Sequence, residues 1–170
     1  MASNVLIRAP RPSDERAFLD AVRASRTLHH PWVQPPGSHS AFQKYLTRLE
    51  QPRHAGFLIR ARGRHGGLVG AVNLNEIVRV SFQSAYLGYC GFEPLAGRGL
   101  MREGLALVIA HAFGRMKLHR LEANIQPGNT RSVRLVKRLG FKREGFSPRY
   151  LKIAGRWRDH ERWALLAEEW

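Results

Sequence analysis

Cysteine is nearly absent from this sequence, which has one such residue, Cys90, among its 170. A single cysteine excludes an internal disulfide and is consistent with a reducing compartment, so we expect a cytoplasmic protein. No apolar stretch approaches the roughly 20 residues that a membrane-spanning helix needs. The first ten residues also lack the apolar core of a signal peptide. The sequence therefore predicts a soluble protein with no membrane partner.

Acidic residues are scarce: Asp and Glu number 13 against 28 Lys and Arg, which gives a net charge of +15. Such a field attracts polyanions, among them coenzyme phosphates and ribosomal RNA. The competing interpretation is an arginine-rich solvated surface, because the basic residues are spread along the chain instead of forming a tail. The eight histidines show no compact metal-ligand spacing, so no metal site is predicted.

Repeats, linkers and low-complexity segments are also missing, and the length suits one domain over residues 1–170. Turn residues and alternating apolar positions predict strands at residues 5–8, 55–61, 68–77, 82–92 and 118–126, with a turn at 62–67. A strand from Phe141 leads into a final hairpin that turns at Ala154-Gly155. Helical spacing predicts a helix capped by Ser13, an irregular loop over residues 27–40, a second helix over about residues 40–50, and two more helices after Gly99 and Asn129. This order predicts one mixed α/β sheet with helices on both faces.

Two glycines, Gly97 and Gly99, join a predicted strand to a helix. Glycine lets the backbone approach a ligand, and the first turn of a helix offers free N–H groups to a phosphate. Leu100 and Met101 stand where the P-loop signature needs Lys and Ser or Thr, and Arg102 stands where the dinucleotide signature needs glycine. The alternative interpretation is a tight turn that caps a helix.

A second strand-to-helix unit runs over residues 127–132, with Asn129 placed to cap the helix. Capping alone explains this pattern, and the functional alternative is that one side chain faces a ligand held between the two units.

Together these units resemble the GNAT superfamily of acyltransferases. The glycine loop is similar to its acetyl-CoA pyrophosphate motif, although Pro94 stands where the motif has Gln or Arg. Residues 78–82, 86–89, 97–101, 119–124 and 150–160 resemble the RimJ branch of bacterial protein N-terminal acetyltransferases. The resemblance implies a mostly antiparallel sheet of about seven strands flanked by helices, with a splayed cofactor cleft. It also implies direct acetyl transfer from acetyl-CoA to the N-terminal alanine or serine amine of a ribosomal or other protein.

The resemblance assigns a site. The residues expected to hold acetyl-CoA, and coenzyme A as product, are Tyr89, Cys90, Gly91, Phe92, Gly97, Arg98, Gly99, Leu100, Met101, Arg102, Asn129 and Ser132. Many family members have a tyrosine acid on the last motif helix, but Leu135 and Val136 stand there. The resemblance to the RimJ and RimL enzymes implies that Ser132 is the general acid. A backbone N–H near Gly91 or Phe92 is expected to polarise the thioester carbonyl.

The acceptor side is the less defined part of the site. Glu76 is the candidate general base, with a solvated strand-end charge as the alternative, while His30, Trp32 and Tyr150 are expected to frame the acceptor. Cys90 is a conceivable acyl carrier, but a lone cysteine in a strand usually packs. The acceptor could instead be a small amine such as an antibiotic or a polyamine. The basic surface repels polyamines, and it repels a basic ribosomal protein as well unless an acidic groove or rRNA mediates docking. A basic binding module for rRNA or DNA is the non-enzymatic alternative, and both monomer and dimer remain open.

Overall fold

The computed structural model describes residues 3–63 and 66–170. Its strands in chain order are β1 (Val5–Arg8), β2 (Ala55–Ala61), β3 (Leu68–Val78), β4 (Ser84–Gly91), β5 (Arg120–Ile125), β6 (Lys142–Ile153) and β7 (Arg156–Leu166). Its helices are α1 (Glu15–Ala24), α2 (Arg26–His29), α3 (His39–Leu49), α4 (Leu100–Gly114) and α5 (Thr130–Arg138). Short 3₁₀ turns, Pro12–Asp14 and Ala167–Glu169, complete the described elements.

The strands form one seven-stranded sheet in the order β1-β2-β3-β4-β5-β7-β6. Every neighbouring pair is antiparallel except β4 and β5, which run parallel. The mixed, mostly antiparallel fold class expected from the sequence is confirmed. Of the turn predicted at residues 62–67, Arg64 and His65 lie outside the described residues.

Helices cover both faces of the sheet. On one face α4 and α5 pack into a cluster that contains Leu105, Ile109 and Val136. On the other, α1 and α3 place Phe18 and Phe42 against the sheet, with ring centroids 5.1 Å apart. Each of these side chains is almost fully buried, which stabilises the fold by about 1.5–3 kcal/mol apiece.

Two local expectations near the N-terminus are wrong. Ser13 does not cap α1, because it lies within the 3₁₀ turn, where the Asp14 carboxylate accepts the N–H of Arg11 at 2.8 Å and pairs with Arg8. The segment predicted as an irregular loop begins with the four-residue α2. The helix predicted from about residue 40 is α3, which begins at His39 and is capped by Ser38, whose side chain accepts the N–H of Ala41. No helix among the described residues is long and apolar enough to cross a bilayer.

Candidate active site

The parallel strands β4 and β5 separate partway along their length. They pair at only three positions, Ser84 with Arg120, Ala85 with Leu121 and Tyr86 with Glu122. A cavity of about 1,210 Å³ borders the later residues of both strands, α5 and the β6–β7 hairpin. Its volume suits a ligand larger than a typical drug molecule.

The open edge of β4 offers backbone groups to this cavity. The Phe92 N–H donates to the Val69 carbonyl at 2.8 Å, so this group faces β3. Because backbone groups alternate in direction along an antiparallel pair, Gly91 and Tyr89 turn theirs towards β5, which has separated by this level. Phe92 itself is fully buried and does not line the cavity. The expected oxyanion donor can therefore be the N–H of Gly91 and not that of Phe92.

The glycine loop has the conformation that its residues predicted. Gly97 and Gly99 have φ angles of 79° and 81°, in the left-handed region that favours glycine. Within the described ranges, no protein acceptor takes the N–H of any residue from 97 to 101. The Arg102 N–H, in contrast, bonds the Gly99 carbonyl at 3.0 Å, so the group of amides expected to hold a phosphate ends at Met101.

Side-chain charge around the cavity is strongly positive. Four arginines line it, and Glu93 is the one carboxylate among its described lining residues. The arginines are Arg102, Arg131, Arg134 and Arg138. This wall, next to the free amides, suits a ligand with several phosphates. Arg98 and Leu100, also expected at the cofactor, do not line the cavity with their side chains.

A pair of hydroxyl groups lies where β4 faces α5. The Asn129 side chain caps α5 by accepting the Ser132 N–H at 3.2 Å, as the sequence predicted. The Ser132 Oγ then lies 2.6 Å from the Tyr89 hydroxyl. Burial raises the pKa of Tyr89 to about 12, so this phenol is protonated at neutral pH. Both side chains line the cavity and form a short protonated chain.

Cys90 also borders the cavity, but its chemistry argues against acyl transfer through sulfur. Burial raises the pKa of the Cys90 thiol to about 12. Since the thiolate is the nucleophilic form, a thiol that stays protonated at neutral pH is a poor acyl carrier. Cys90 therefore contributes packing to the wall.

Glu76 is not brought to the site. It lies on β3 with a φ of 48°, is paired with Arg53, and is absent from the cavity-lining residues. The expectation that Glu76 acts as base does not fit this position, because a base must reach the amine directly or through one water.

Of the three residues expected at the acceptor, only Trp32 lines the cavity. A Cβ at Gly128 would lie 3.0 Å from the Trp32 ring, so the glycine leaves room for the indole. His30 is exposed and outside the cavity. Tyr150 is also outside, although its ring centroid lies 6.2 Å from that of His160, which borders the cavity.

Two buried histidines that are not among the site residues expected above also line the cavity. His29 donates from Nε2 to the Gly91 carbonyl at 2.8 Å and so supports the open end of β4. The buried positions Val22, Ser25 and His29 continue one helical spacing, and this pattern could have revealed His29. His160 carried no such signal. Across the described residues no group of three or more His, Cys, Asp or Glu is placed to hold a metal ion.

Comparisons with known proteins agree with this geometry. A family model described as an acetyltransferase (GNAT) domain matches residues 4–142. The probable N-acetyltransferase YjcK of Bacillus subtilis is 34% identical over 156 residues, which are 91% of this chain and 83% of that protein. The ribosomal protein uS5-alanine N-acetyltransferase of Escherichia coli is 42% identical over 103 residues, 61% of this chain and 53% of that protein. The structure of Mycobacterium smegmatis RimJ in complex with CoA-disulfide matches with a TM-score of 0.87 at 29% identity, covering 97% of this chain and 83% of that one.

Proposed function

The chain belongs to the GNAT acetyltransferase family, and we propose that it transfers the acetyl group of acetyl-CoA to the N-terminal amine of a protein that begins with alanine or serine. N-acetyltransferase activity itself follows from the family. The proposal concerns the acetyl donor, acetyl-CoA, and the acetyl acceptor, a protein N-terminus.

One observation carries the donor assignment: the cavity joins unused amides at residues 97–101 to the open edge of β4 and then to the Tyr89–Ser132 pair. In this arrangement the pyrophosphate of acetyl-CoA accepts from the amides and from the arginine wall. The pantetheine arm follows β4, and the thioester reaches the hydroxyl pair. A bound CoA in a structural neighbour supports the same ligand class.

The reaction needs no covalent intermediate on the protein. The lone pair of a neutral amine attacks the thioester carbon, and the Gly91 N–H donates to the oxygen that gains negative charge. The C–S bond then breaks, and the departing sulfur takes a proton from the Ser132 hydroxyl. Ser132 regains a proton from the hydrogen-bonded Tyr89 hydroxyl, which water reprotonates. The amine loses its extra proton to a base, giving an amide and free coenzyme A. Alignment of the two reactants supplies several kcal/mol of the rate enhancement.

The acceptor assignment is supported by the similarity to the uS5-alanine enzyme, which is 42% identical over 103 residues. The net charge of +15 disfavours polyamines, because like charges repel. A peptide N-terminus carries one positive charge or none, and its amine has a pKa of about 8, so a substantial fraction is neutral near neutral pH. Contact between the basic surface and ribosomal RNA stays a prediction.

The test is release of free thiol from acetyl-CoA with a matched set of acceptors. Short peptides that begin with Ala, Ser or Met are compared with spermidine and with one Ala peptide whose terminus is already acetylated and which contains lysine. We expect release with the Ala and Ser peptides and none with the blocked peptide.

Other outcomes contradict the proposal in distinct ways. Release with the blocked peptide would move the acceptor to a lysine side chain, and release with spermidine alone would replace the protein acceptor with a small amine. Absence of release with every acceptor, together with absence of acetyl-CoA binding by calorimetry, would refute the donor assignment as well.

A further inference from the structure

We infer that His160 is the general base that takes the proton from the attacking amine, an assignment that rests on the proposed amine acetylation. His160 lies on β7, is 3% exposed and borders the cavity. The amine must pass this proton to a group that lines the cavity or to a water held there. Glu76, the base expected from the sequence, lies outside the cavity.

The position of His160 follows from the sheet register. β5 and β7 pair through Asn124 with Arg162 and Ile125 with Glu161. His160 therefore lies at the level of Gln126, just past the end of β5, where β4 and β5 have separated. This level is the open end of the cleft, opposite the end of β4 that carries the Gly91 N–H.

Hydrogen bonding fixes which ring nitrogen is free to act. His160 Nδ1 lies 2.9 Å from the Arg158 carbonyl, and a carbonyl can only accept, so the neutral ring carries its proton on Nδ1. Nε2 then holds the lone pair. In the part of the chain that the structure describes, no protein group bonds Nε2. The imidazole is held by one nitrogen and leaves the other for a ligand.

The surroundings favour the neutral ring. Burial lowers the pKa of His160, and the smaller influences of the Arg158 carbonyl and of Asp159 act in the opposite direction. The Tyr150 ring from β6 lies against it, with centroids 6.2 Å apart, and Gln126 stands at its level on β5. The neutral imidazole is the form that accepts a proton, and the lowered pKa keeps His160 in this form at physiological pH.

A neighbouring acceptor atom supports the same use of this wall. Asn124 lines the cavity, and its Oδ1 is buried with no hydrogen-bond partner in residues 3–63 and 66–170. An unpaired buried oxygen is unfavourable unless a ligand satisfies it. An amine that donates one N–H to Asn124 would have a second N–H available for His160 Nε2.

Glu93 is the rival base, because it is the one carboxylate among the described lining residues. It is exposed and follows β4, on the opposite side of the cleft from Asn124 and His160. An amine held at Asn124 would therefore have His160, and not Glu93, on its own wall of the cleft.

The experiment compares His160→Asn with the wild-type chain. The asparagine amide can still donate to the Arg158 carbonyl, so the fold is maintained, but it has no lone pair at the position of Nε2. His119→Gln is the matched control, because His119 is exposed and pairs with Glu168. Glu93→Gln tests the rival, and His160→Gln is a second variant in case the first unfolds. Each is assayed for kcat against pH with an Ala peptide, and for the acetyl-CoA Kd.

We expect His160→Asn to lower kcat about 100-fold at pH 7 and to remove the plateau of kcat against pH, while the acetyl-CoA Kd changes less than threefold. His119→Gln and Glu93→Gln should keep the wild-type profile. Wild-type kcat and pH profile in both His160 variants, or loss of the profile in Glu93→Gln instead, would overturn the assignment. Absence of turnover by the wild-type chain with every acceptor would instead overturn the proposed function and the assignment with it.

Discussion

The 2.6 Å hydrogen bond between Tyr89 and Ser132 gives the sharpest test of the reaction chemistry. Ser132→Ala removes the shorter hydrogen bond of the buried Tyr89 hydroxyl and leaves it only the 3.4 Å contact with the Ser132 carbonyl, which should lower the free energy of unfolding by about 1–3 kcal/mol. Tyr89→Phe leaves Ser132 facing the cavity, where water can replace the phenol, so the loss should be about 0.5–1.5 kcal/mol. The double variant should lose less than the sum of both, with a coupling energy of about 1 kcal/mol.

The effect on kcat should also be larger for Ser132 than for Tyr89. If Ser132 protonates the leaving sulfur, Ser132→Ala should lower kcat about 100-fold, within the range typical of general acids. Tyr89 acts through Ser132, and loss of one hydrogen bond worth about 1.4 kcal/mol in the transition state lowers kcat about tenfold. In the Ser132→Ala background, Tyr89→Phe should then have no further effect on kcat.

These values are measured by thiol release at saturating acetyl-CoA, and stability is measured by urea unfolding. Ser13→Ala is the control, because Ser13 is exposed and does not cap α1. A Ser132→Ala variant that keeps kcat within threefold of wild type would refute the role of Ser132. A further tenfold loss in the double variant would show that Tyr89 acts independently.

Three further predictions follow from other parts of the molecule. Gly99→Ala should weaken acetyl-CoA binding about fivefold in calorimetry, because the left-handed backbone conformation of this residue costs about 1 kcal/mol more for alanine than for glycine. The control, Gly114→Ala in α4, should leave the affinity unchanged. Asp14→Asn should lower the free energy of unfolding by about 2 kcal/mol at pH 7. Because the Arg8 guanidinium lowers the pKa of Asp14, this difference should be complete above pH about 4 and shrink as pH falls through the lowered pKa; urea titrations that show the same difference at acid pH would contradict this. Glu76→Gln should keep kcat within about twofold in the thiol assay, and a 100-fold loss would restore it as a base.

Local conformations that depend on residues a few positions apart in the chain could be predicted from the sequence. Gly97 and Gly99 have the positive φ angles that only glycine adopts readily, and Asn129 caps α5 through a residue three positions away. The hairpin turn at Ala154-Gly155 also formed where expected. In each case the decisive interaction spans a few residues, so the local pattern contains it. The fold class followed from the order of such elements and from the family resemblance.

The cap predicted at Ser13 shows where this local reasoning ends. Asp14, the next residue, has its carboxylate paired with Arg8 of β1 and with the backbone of Arg11. The ion pair joins a strand to the helix that follows it, and its strength depends on burial in the folded chain. A prediction based only on capping residues does not account for an ion pair between Asp14 and a residue of another element.

The sequence by itself determined the family, the glycine loop and the cap of α5. Tertiary structure alone decided which amide of β4 is free, because the direction of the Gly91 N–H depends on the register between β3 and β4. It also joined Tyr89 to Ser132, 43 positions later, and placed His160 in the cavity while keeping Glu76 out of it. These outcomes depend on strand register and on the point where β4 and β5 separate, and both are set by packing across the whole sheet.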